Sequence, residues 1–254
     1  MFTEERHKYI LDLLNRDGKI FVKNLSKEFK VSESMIRKDL KVLERKNLLQ
    51  RTYGGAINID NTAIKIKTFN NRISENIELK NIIAQKAFDE INENDTIFLD
   101  SSTTSFMIAK LIVEDNKQLT VITNMFEISS LITPDSITKF IFIGGDYNSY
   151  VGGSIGSHAI EQINNYRCNK AFLGCTGIDL RDGTISTSLS EDAATKKAIT
   201  NISDKLFLVT LNEKFKKNGS FKFSNLLDFY GIITEQLPDN SITVKLKEYY
   251  LNII

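Results

Sequence analysis

The stretch from Val31 to Gly55, VSESMIRKDLKVLERKNLLQRTYGG, constrains the fold more than any other part of the chain. Ser32 has the chemistry of an N-cap, because its hydroxyl can accept a hydrogen bond from one of the amides that a helix start leaves unpaired. From Glu33 to Lys46, Ile36, Leu40 and Leu43 form one apolar stripe. Ser34, Met35, Arg37, Lys38, Lys41 and Arg45 occupy the remaining surface. Past Asn47 the pattern becomes two short strand candidates, Leu48 to Thr52 and Ala56 to Ile59. They flank Tyr53-Gly54-Gly55, where paired glycines permit the positive φ of a tight hairpin. A helix divided in this way buries one side and offers the other to a major groove. Arg51 in the neighbouring ribbon is placed to reach phosphate or the minor groove. Turn, cap, basic helix and glycine wing, in that order, point to a module that binds double-stranded DNA.

Upstream residues complete the module. Thr3 to Asp17 reads as an amphipathic helix, with Ile10, Leu11 and Leu14 at helical spacing and Gly18 as its stop. Val22 to Phe29 gives a second, shorter helix in which Val22, Leu25 and Phe29 face a common core, and Val31 packs the turn. Formal net charge is only +1, but residues 1–58 hold 13 Lys and Arg against 8 Asp and Glu, while the rest of the chain holds 20 against 24. Basic charge is concentrated where a phosphate footprint would need it.

At 254 residues there is room for one small and one medium domain, each with its own core. The expected division is 3–58 for the winged helix-turn-helix, 59–75 for a polar linker and 76–254 for the larger domain. No apolar run approaches membrane-spanning length, and the N-terminus MFTEERHKYI is charged and amphipathic, unlike a signal peptide. A cytoplasmic location without a membrane partner is expected. Cys168 and Cys175 match no metal or redox spacing, and His7 and His158 are the only histidines. No metal and no cofactor is expected.

Beyond a helix from about Ile77 to Ile91, apolar segments alternate with helical ones. Strands are expected near Thr96–Leu99, Leu119–Thr123, Lys139–Ile143, Lys170–Gly174, Lys205–Thr210 and Phe229–Ile233. Helices are expected near Thr104–Glu114, Met125–Leu131, Ser154–Asn164 and Ser190–Asn201. Such alternation predicts an α/β domain with a mostly parallel sheet, whose ligands bind at the carboxyl ends of the strands. Small and hydroxyl residues gather at those ends. They are Asp100-Ser101-Ser102-Thr103-Thr104 opening a helix, Thr123-Asn124, Gly144-Gly145-Asp146, and Gly174 to Asp179 with Gly177 among them. Amides and hydroxyls at a helix N-terminus form an anion site. Lys214 can neutralise a phosphate, although the run Lys214, Lys216, Lys217 also reads as solvated surface. Glu191, Lys196 and Lys197 read as the exposed face of a helix, and His158 as a packing or surface residue.

The chain resembles the DeoR family of bacterial transcriptional regulators. In the first domain the resemblance rests on Glu5-Arg6, Ile10, Val31-Ser32-Glu33, Ile36-Arg37-Lys38-Asp39-Leu40 and Tyr53-Gly54-Gly55-Ala56. In the second it rests on Leu99-Asp100-Ser101, Thr103-Thr104, Thr123-Asn124, Gly144-Gly145, Val151-Gly152, Phe172-Leu173-Gly174, Gly177-Ile178-Asp179 and Lys214-Phe215. It departs from the family pattern at Phe21, where a hydroxyl cap is usual, at Lys30, where a turn glycine is common, at Ser102, which replaces a glycine, and at Leu211, which replaces an acidic residue. The resemblance implies a sensor domain related to ribose-5-phosphate isomerase that binds phosphorylated sugars or related metabolites. It implies a repressor of carbohydrate-metabolism genes, acting as a homodimer or homotetramer on a duplex operator. Gly152 joins the effector residues on this ground. Two other readings stand beside it. One is a sugar-phosphate isomerase-like enzyme with a DNA-binding appendage, which needs a base where Thr176 stands, with Asp179 nearby. The other is a DNA-bound structural protein with a ligand-free sensor.

Overall fold

The apolar stripes of the N-terminal helices close on one another. In the computed structural model, which describes residues 3–17, 19–46, 48–52, 54–57 and 69–254, the chain divides between residues 66 and 67 into two compact units. The first unit contains α1 (Thr3–Asp17), β1 (Lys19–Phe21), α2 (Val22–Phe29), α3 (Glu33–Arg45), β2 (Gln50–Thr52) and β3 (Gly55–Ile57). Ile10, Leu14, Leu25, Ile36, Leu40 and Leu43 bury together, with Val31 packed against them. Leu49, expected in a wing strand, is instead buried in this core ahead of β2. The wing gains a strand the sequence did not announce. β1 pairs antiparallel with β3, which also pairs with β2, giving the order β1-β3-β2. Three residues are too few for periodicity to reveal.

The second unit is built on a seven-stranded sheet. It begins with α4 (Phe69–Ile73), α5 (Ile77–Asp89), β4 (Thr96–Leu99), α6 (Thr103–Asp115), β5 (Thr120–Thr123) and β6 (Lys139–Phe142). A hairpin follows, β7 (Asp146–Asn148) and β8 (Gly153–Ile155), then α7 (Ser157–Ile163) and β9 (Cys168–Leu173). Next come β10 (Gly177–Asp179), β11 (Thr184–Thr187), α8 (Ser190–Asn201), β12 (Ser203–Val209) and β13 (Phe221–Asn225). The chain ends with β14 (Gly231–Ile233), α9 (Asn240–Glu248) and β15 (Asn252–Ile253). The main sheet runs β15-β14-β12-β9-β4-β5-β6, with every pairing parallel. Its strands alternate sides. Ile97 and Leu99 join α5 and α6 in one core, while Phe98 joins α7, α8 and α9 in the other. Helices therefore cover both faces, as a sheet buried on two sides requires.

Two expectations change. The helix predicted over Ser154–Asn164 starts only at Ser157, because Gly153–Ile155 pairs as β8 and Gly156 takes φ 89°, ψ −168°, outside helical space. The segment expected as a helix at Met125–Leu131 is a 3-10 turn, Phe126–Leu131. A small antiparallel sheet, β10-β11-β13, and the β7–β8 hairpin are further additions. Chain order leaves β4 outward through β5 to β6, then returns to β9 on the other side of β4. The topological switch therefore falls between β4 and β9, and the carboxyl ends of these strands are where a sheet of this kind ordinarily takes a ligand.

Candidate functional site

In the first unit, α3 has two distinct sides. Ile36, Leu40 and Leu43 are buried, whereas Ser34, Met35, Arg37, Lys38, Lys41 and Arg45 are exposed, as are Arg51 and Gly54 in the wing. Ser32 is the N-cap: its Oγ accepts from the Met35 amide at 3.3 Å. Arg37 bonds Glu33 one turn back at 3.1 Å, a weak surface pair easily exchanged for another anion. Arg51 lies 3.8 Å from Glu44, whose carboxylate also accepts from the Arg51 amide at 2.9 Å. Asp39, in the middle of α3, faces inward. Arg6 donates to it at 2.6 and 3.1 Å and His7 lies 3.1 Å away, so this carboxylate fastens α3 to α1. The wing is tied to α2 by the Val22 amide donating to the Gly54 carbonyl at 2.9 Å. Tyr53 lies outside the described residues.

In the second unit the hydroxyl-rich turn sits where β4 hands over to α6, at the switch point. Asp100 organises it from within. One carboxylate oxygen accepts from the Ser102 amide (3.0 Å) and the Ser105 hydroxyl (2.7 Å). The other accepts from the Gly174 amide at the end of β9 (2.7 Å) and from the ammonium of Lys196. Burial works to raise the Asp100 carboxyl, but Lys196, Ser105 and Ser102 hold it below the ordinary carboxylate range. Burial also works against the Lys196 charge, and Asp100 with Asp192 more than restores it. Both residues are buried, so the exposed face expected for α8 holds for Glu191 and Lys197 but not for Lys196. The signal was present in the sequence. Lys196 falls three residues from both Ala193 and Ile199, on the stripe that packs inward.

Ser102 caps α6, accepting from the Ser105 amide at 3.1 Å. Its Cβ stands against Gly174, where any added Cβ would lie 2.6 Å away, so the serine and that glycine fit together. Ser101, Thr103 and Thr104 are buried around the same turn, and the amides of Thr103 and Thr104 belong to the first turn of the helix, where no intrahelical acceptor exists. Thr123 is structural: its hydroxyl donates to the Leu99 carbonyl (2.7 Å) and accepts from the Met125 amide (3.0 Å). Asn124 donates from Nδ2 to the Ser154 carbonyl at 2.9 Å. Gly145 takes φ 136° against α7, and Gly177 accommodates the Lys217 carbonyl. Lys214 is half-buried and pairs with Glu213 at 3.4 Å.

The β7–β8 hairpin closes over this turn. Gly153 lies so near that an added Cβ would be 2.5 Å from the Asn124 carbonyl and 2.8 Å from Ser101. Gly152, at φ 80°, receives the ring of Phe69 from α4, which also meets Phe106 edge to face at 6.0 Å. From the same short helix, Arg72 donates to the carbonyls of Tyr150 (3.0 Å) and Val151 (2.7 Å), and the buried Lys80 donates to the Arg72 carbonyl at 2.5 Å. Burial pushes Lys80 down to about 8, with Arg72 adding to the effect. Neither Arg72, Lys80 nor Glu127 is signalled by sequence pattern. Burial pushes the Cys175 thiol up, which leaves it a poor nucleophile. Among the described residues no helix is long and apolar enough to cross a membrane, and no three His, Cys, Asp or Glu side chains group to hold a metal.

A capped helix with an exposed cationic side, followed by a glycine wing, is the arrangement of a DNA-binding regulator. The description "DeoR-like helix-turn-helix domain" matches residues 6–62, and "DeoR C terminal sensor domain" matches residues 75–236. The chain belongs to the DeoR family of transcriptional regulators, and it is a regulator, not an enzyme. It is 27% identical to the glycerol-3-phosphate regulon repressor of Escherichia coli over 100% of this chain and 99% of that protein. It is 33% identical to the L-fucose operon activator of Haemophilus influenzae over 92% and 93%. The HTH-type regulator YulB of Bacillus subtilis is 32% identical over 98% and 95%. Among solved structures, ribose 5-phosphate isomerase A of Methanocaldococcus jannaschii is similar over 54% of this chain and 52% of its own, with TM-score 0.38 and 14% identity.

Proposed function

We propose that the regulator is a cytoplasmic repressor of carbohydrate-metabolism genes whose crevice binds a phosphorylated sugar or related metabolite. The observation that carries this is the bridge from Asp100 to Gly174 and Lys196. It fixes the α6 N-terminus and the end of β9 around one crevice at the switch point, while consuming the carboxylate that would otherwise repel an anion. First-turn amides with the helix dipole behind them suit phosphate. The names of two relatives, a glycerol-3-phosphate regulon repressor and a putative aga operon transcriptional repressor, support both the chemistry and the sense of control.

On the DNA side, Arg37, Lys38, Lys41 and Arg45, with Ser32, Ser34 and Met35, form the groove-facing surface of α3. Arg51, Tyr53 and Gly54 form the wing's contribution. The regulator acts as a homodimer or homotetramer, because one such module makes few contacts and a two-fold assembly reads a two-fold site. Occupancy of the crevice shifts the arrangement of DNA modules by linkage.

Thermal-shift measurement against phosphorylated metabolites tests the sensor reading, since a ligand that binds only the folded state raises apparent stability. Thr103→Val should lower the shift given by the best ligand. An unchanged shift in the variant, or none in the natural chain, defeats the assignment of this turn.

A further inference from the structure

The main sheet leaves backbone groups over at its two edges, β15 and β6, and these edges differ. β15 is two residues long, and a strand that short offers little for another chain to pair with. β6 reads Lys139-Phe140-Ile141-Phe142 and contains neither proline nor bulge. The amides of Lys139 and Ile143 donate inward to the carbonyls of Leu119 and Thr123 at 2.9 and 2.8 Å. Peptide groups alternate along a parallel ladder, so the amides and carbonyls of Phe140 and Phe142 point away from β5. Among the described residues no strand pairs with them. Edge strands are ordinarily guarded by charge, proline, a bulge or a covering segment. Here Lys139 guards the entrance alone, and Phe140 to Phe142 stay open.

The side chains show what would fit. Phe140 and Phe142 share one face, their rings stacked with centroids 6.3 Å apart, and Phe142 is 37% exposed. Ile141 lies on the opposite face, against the core beneath α7, α8 and α9. Ile137, just ahead of the strand, is 58% exposed. One occupant matches all of this: β6 of a second copy, antiparallel about a two-fold axis at Ile141. In that register Phe140 of one copy and Phe142 of the other exchange amide–carbonyl bonds, and the same pair recurs across the axis. Two cross-strand aromatic pairs then form on one face, and the two Ile141 side chains meet on the other.

Charge agrees with this direction. Lys139 is exposed and, among the described residues, has no acidic partner. Asp146 follows the strand at its other end, its side chain 85% exposed, with His158 at 3.9 Å. Antiparallel pairing brings the Lys139 end of each copy to the Asp146 end of the other. A parallel pairing would set like charge beside like charge.

We infer that β6 is a two-fold interface between copies of this chain, joining their seven-stranded sheets edge to edge. This rests on the reading of the regulator as a homo-oligomer, and it names the surface through which two second units assemble.

The test is sedimentation velocity of the full chain, with and without oxidised glutathione. Phe142→Pro removes an outward amide that β5 does not use. It should halve the assembly, dimer to monomer or tetramer to dimer. Lys139→Glu and Asp146→Lys should each weaken association about fivefold or more, and the two together should restore it. Ile141→Cys sets two thiols at the axis with Cα atoms about 4.5 Å apart, within disulfide reach. On oxidation it should give a covalent dimer that the natural chain, with Cys168 and Cys175, does not, and it decides the matter if Phe142→Pro does not fold. An unchanged assembly in Phe142→Pro, or an Ile141→Cys chain that stays uncrosslinked, overturns this interface and leaves the homo-oligomer reading standing. A natural chain that is monomeric at every concentration overturns both.

Discussion

At the scale of single residues, the buried pair of Asp100 and Lys196 decides most. Removing one partner of such a pair leaves an uncompensated charge, so Asp100→Asn is expected to destabilise the second unit by about 3–5 kcal/mol in denaturant unfolding. The double variant Asp100→Asn with Lys196→Met should recover part of that loss. The pH dependence has a definite sign. Because the folded-state Asp100 carboxyl lies below its ordinary value, its contribution is present above about pH 4 and is lost as pH falls through the folded value. Lys80 behaves in the opposite region. Its folded value of about 8 lies below that of a free lysine, so the penalty of burying its charge is full below that pH. The penalty is relieved as pH rises toward about 10. Stability relative to Lys80→Met should therefore increase over that window. The carboxylate at the end of β4 was legible in the sequence, because a strand running into a hydroxyl-rich helix start marks a turn of this kind. Its partner was misjudged, because a lysine among alanines on a helix reads as surface unless the inward stripe is traced through it.

Among elements, the helix-turn-helix was legible almost throughout, since 3.6-residue periodicity and capping chemistry act over short range. The wing was less so. Gly54 does need its positive φ of 89°, but Gly55 serves another purpose: a Cβ there would overlap the Ile20 carbonyl of β1. Gly55→Ala is therefore expected to disrupt the β1–β3 pairing and to destabilise the first unit by more than about 2 kcal/mol. Gly54→Ala faces open space and should cost only the conformational strain, about 1–2 kcal/mol. Thermal unfolding of the two variants would rank them, and the reverse order would contradict this division of roles. Lys30 holds the left-handed conformation at φ 53° after α2, so Lys30→Gly should stabilise the same unit by about 1 kcal/mol. Six of the seven parallel strands were visible as apolar runs, and the two-residue β15 was not. The β7–β8 hairpin, β10 and β11 were not, because three- and four-residue strands pair through long-range register and leave little local pattern. Arg72 escaped notice for the same reason: α4 has five residues and acquires meaning only where it docks.

For the whole molecule, the cationic DNA-binding surface and the proposed ligand switch have separate signatures. Phosphate contacts give a salt dependence of about −0.9 per phosphate neutralised on duplex DNA. Loss of Arg37 and Lys38 should lower both affinity and slope, by about one unit of slope per phosphate contact removed. The proposed ligand control should add a coupling free energy of about 1–3 kcal/mol, a change of roughly 5- to 150-fold in DNA affinity, and linkage then requires the DNA to change ligand affinity by the same factor. The decisive measurement is an equilibrium anisotropy titration of the full chain on a labelled duplex from the region upstream of its own gene, at fixed salt. It is run with and without a saturating amount of the phosphorylated polyol that gives the largest thermal shift. We expect the two curves to separate by a factor in that range. Superimposable curves, with the ligand bound in both units' presence and the duplex bound with equal affinity, would contradict it.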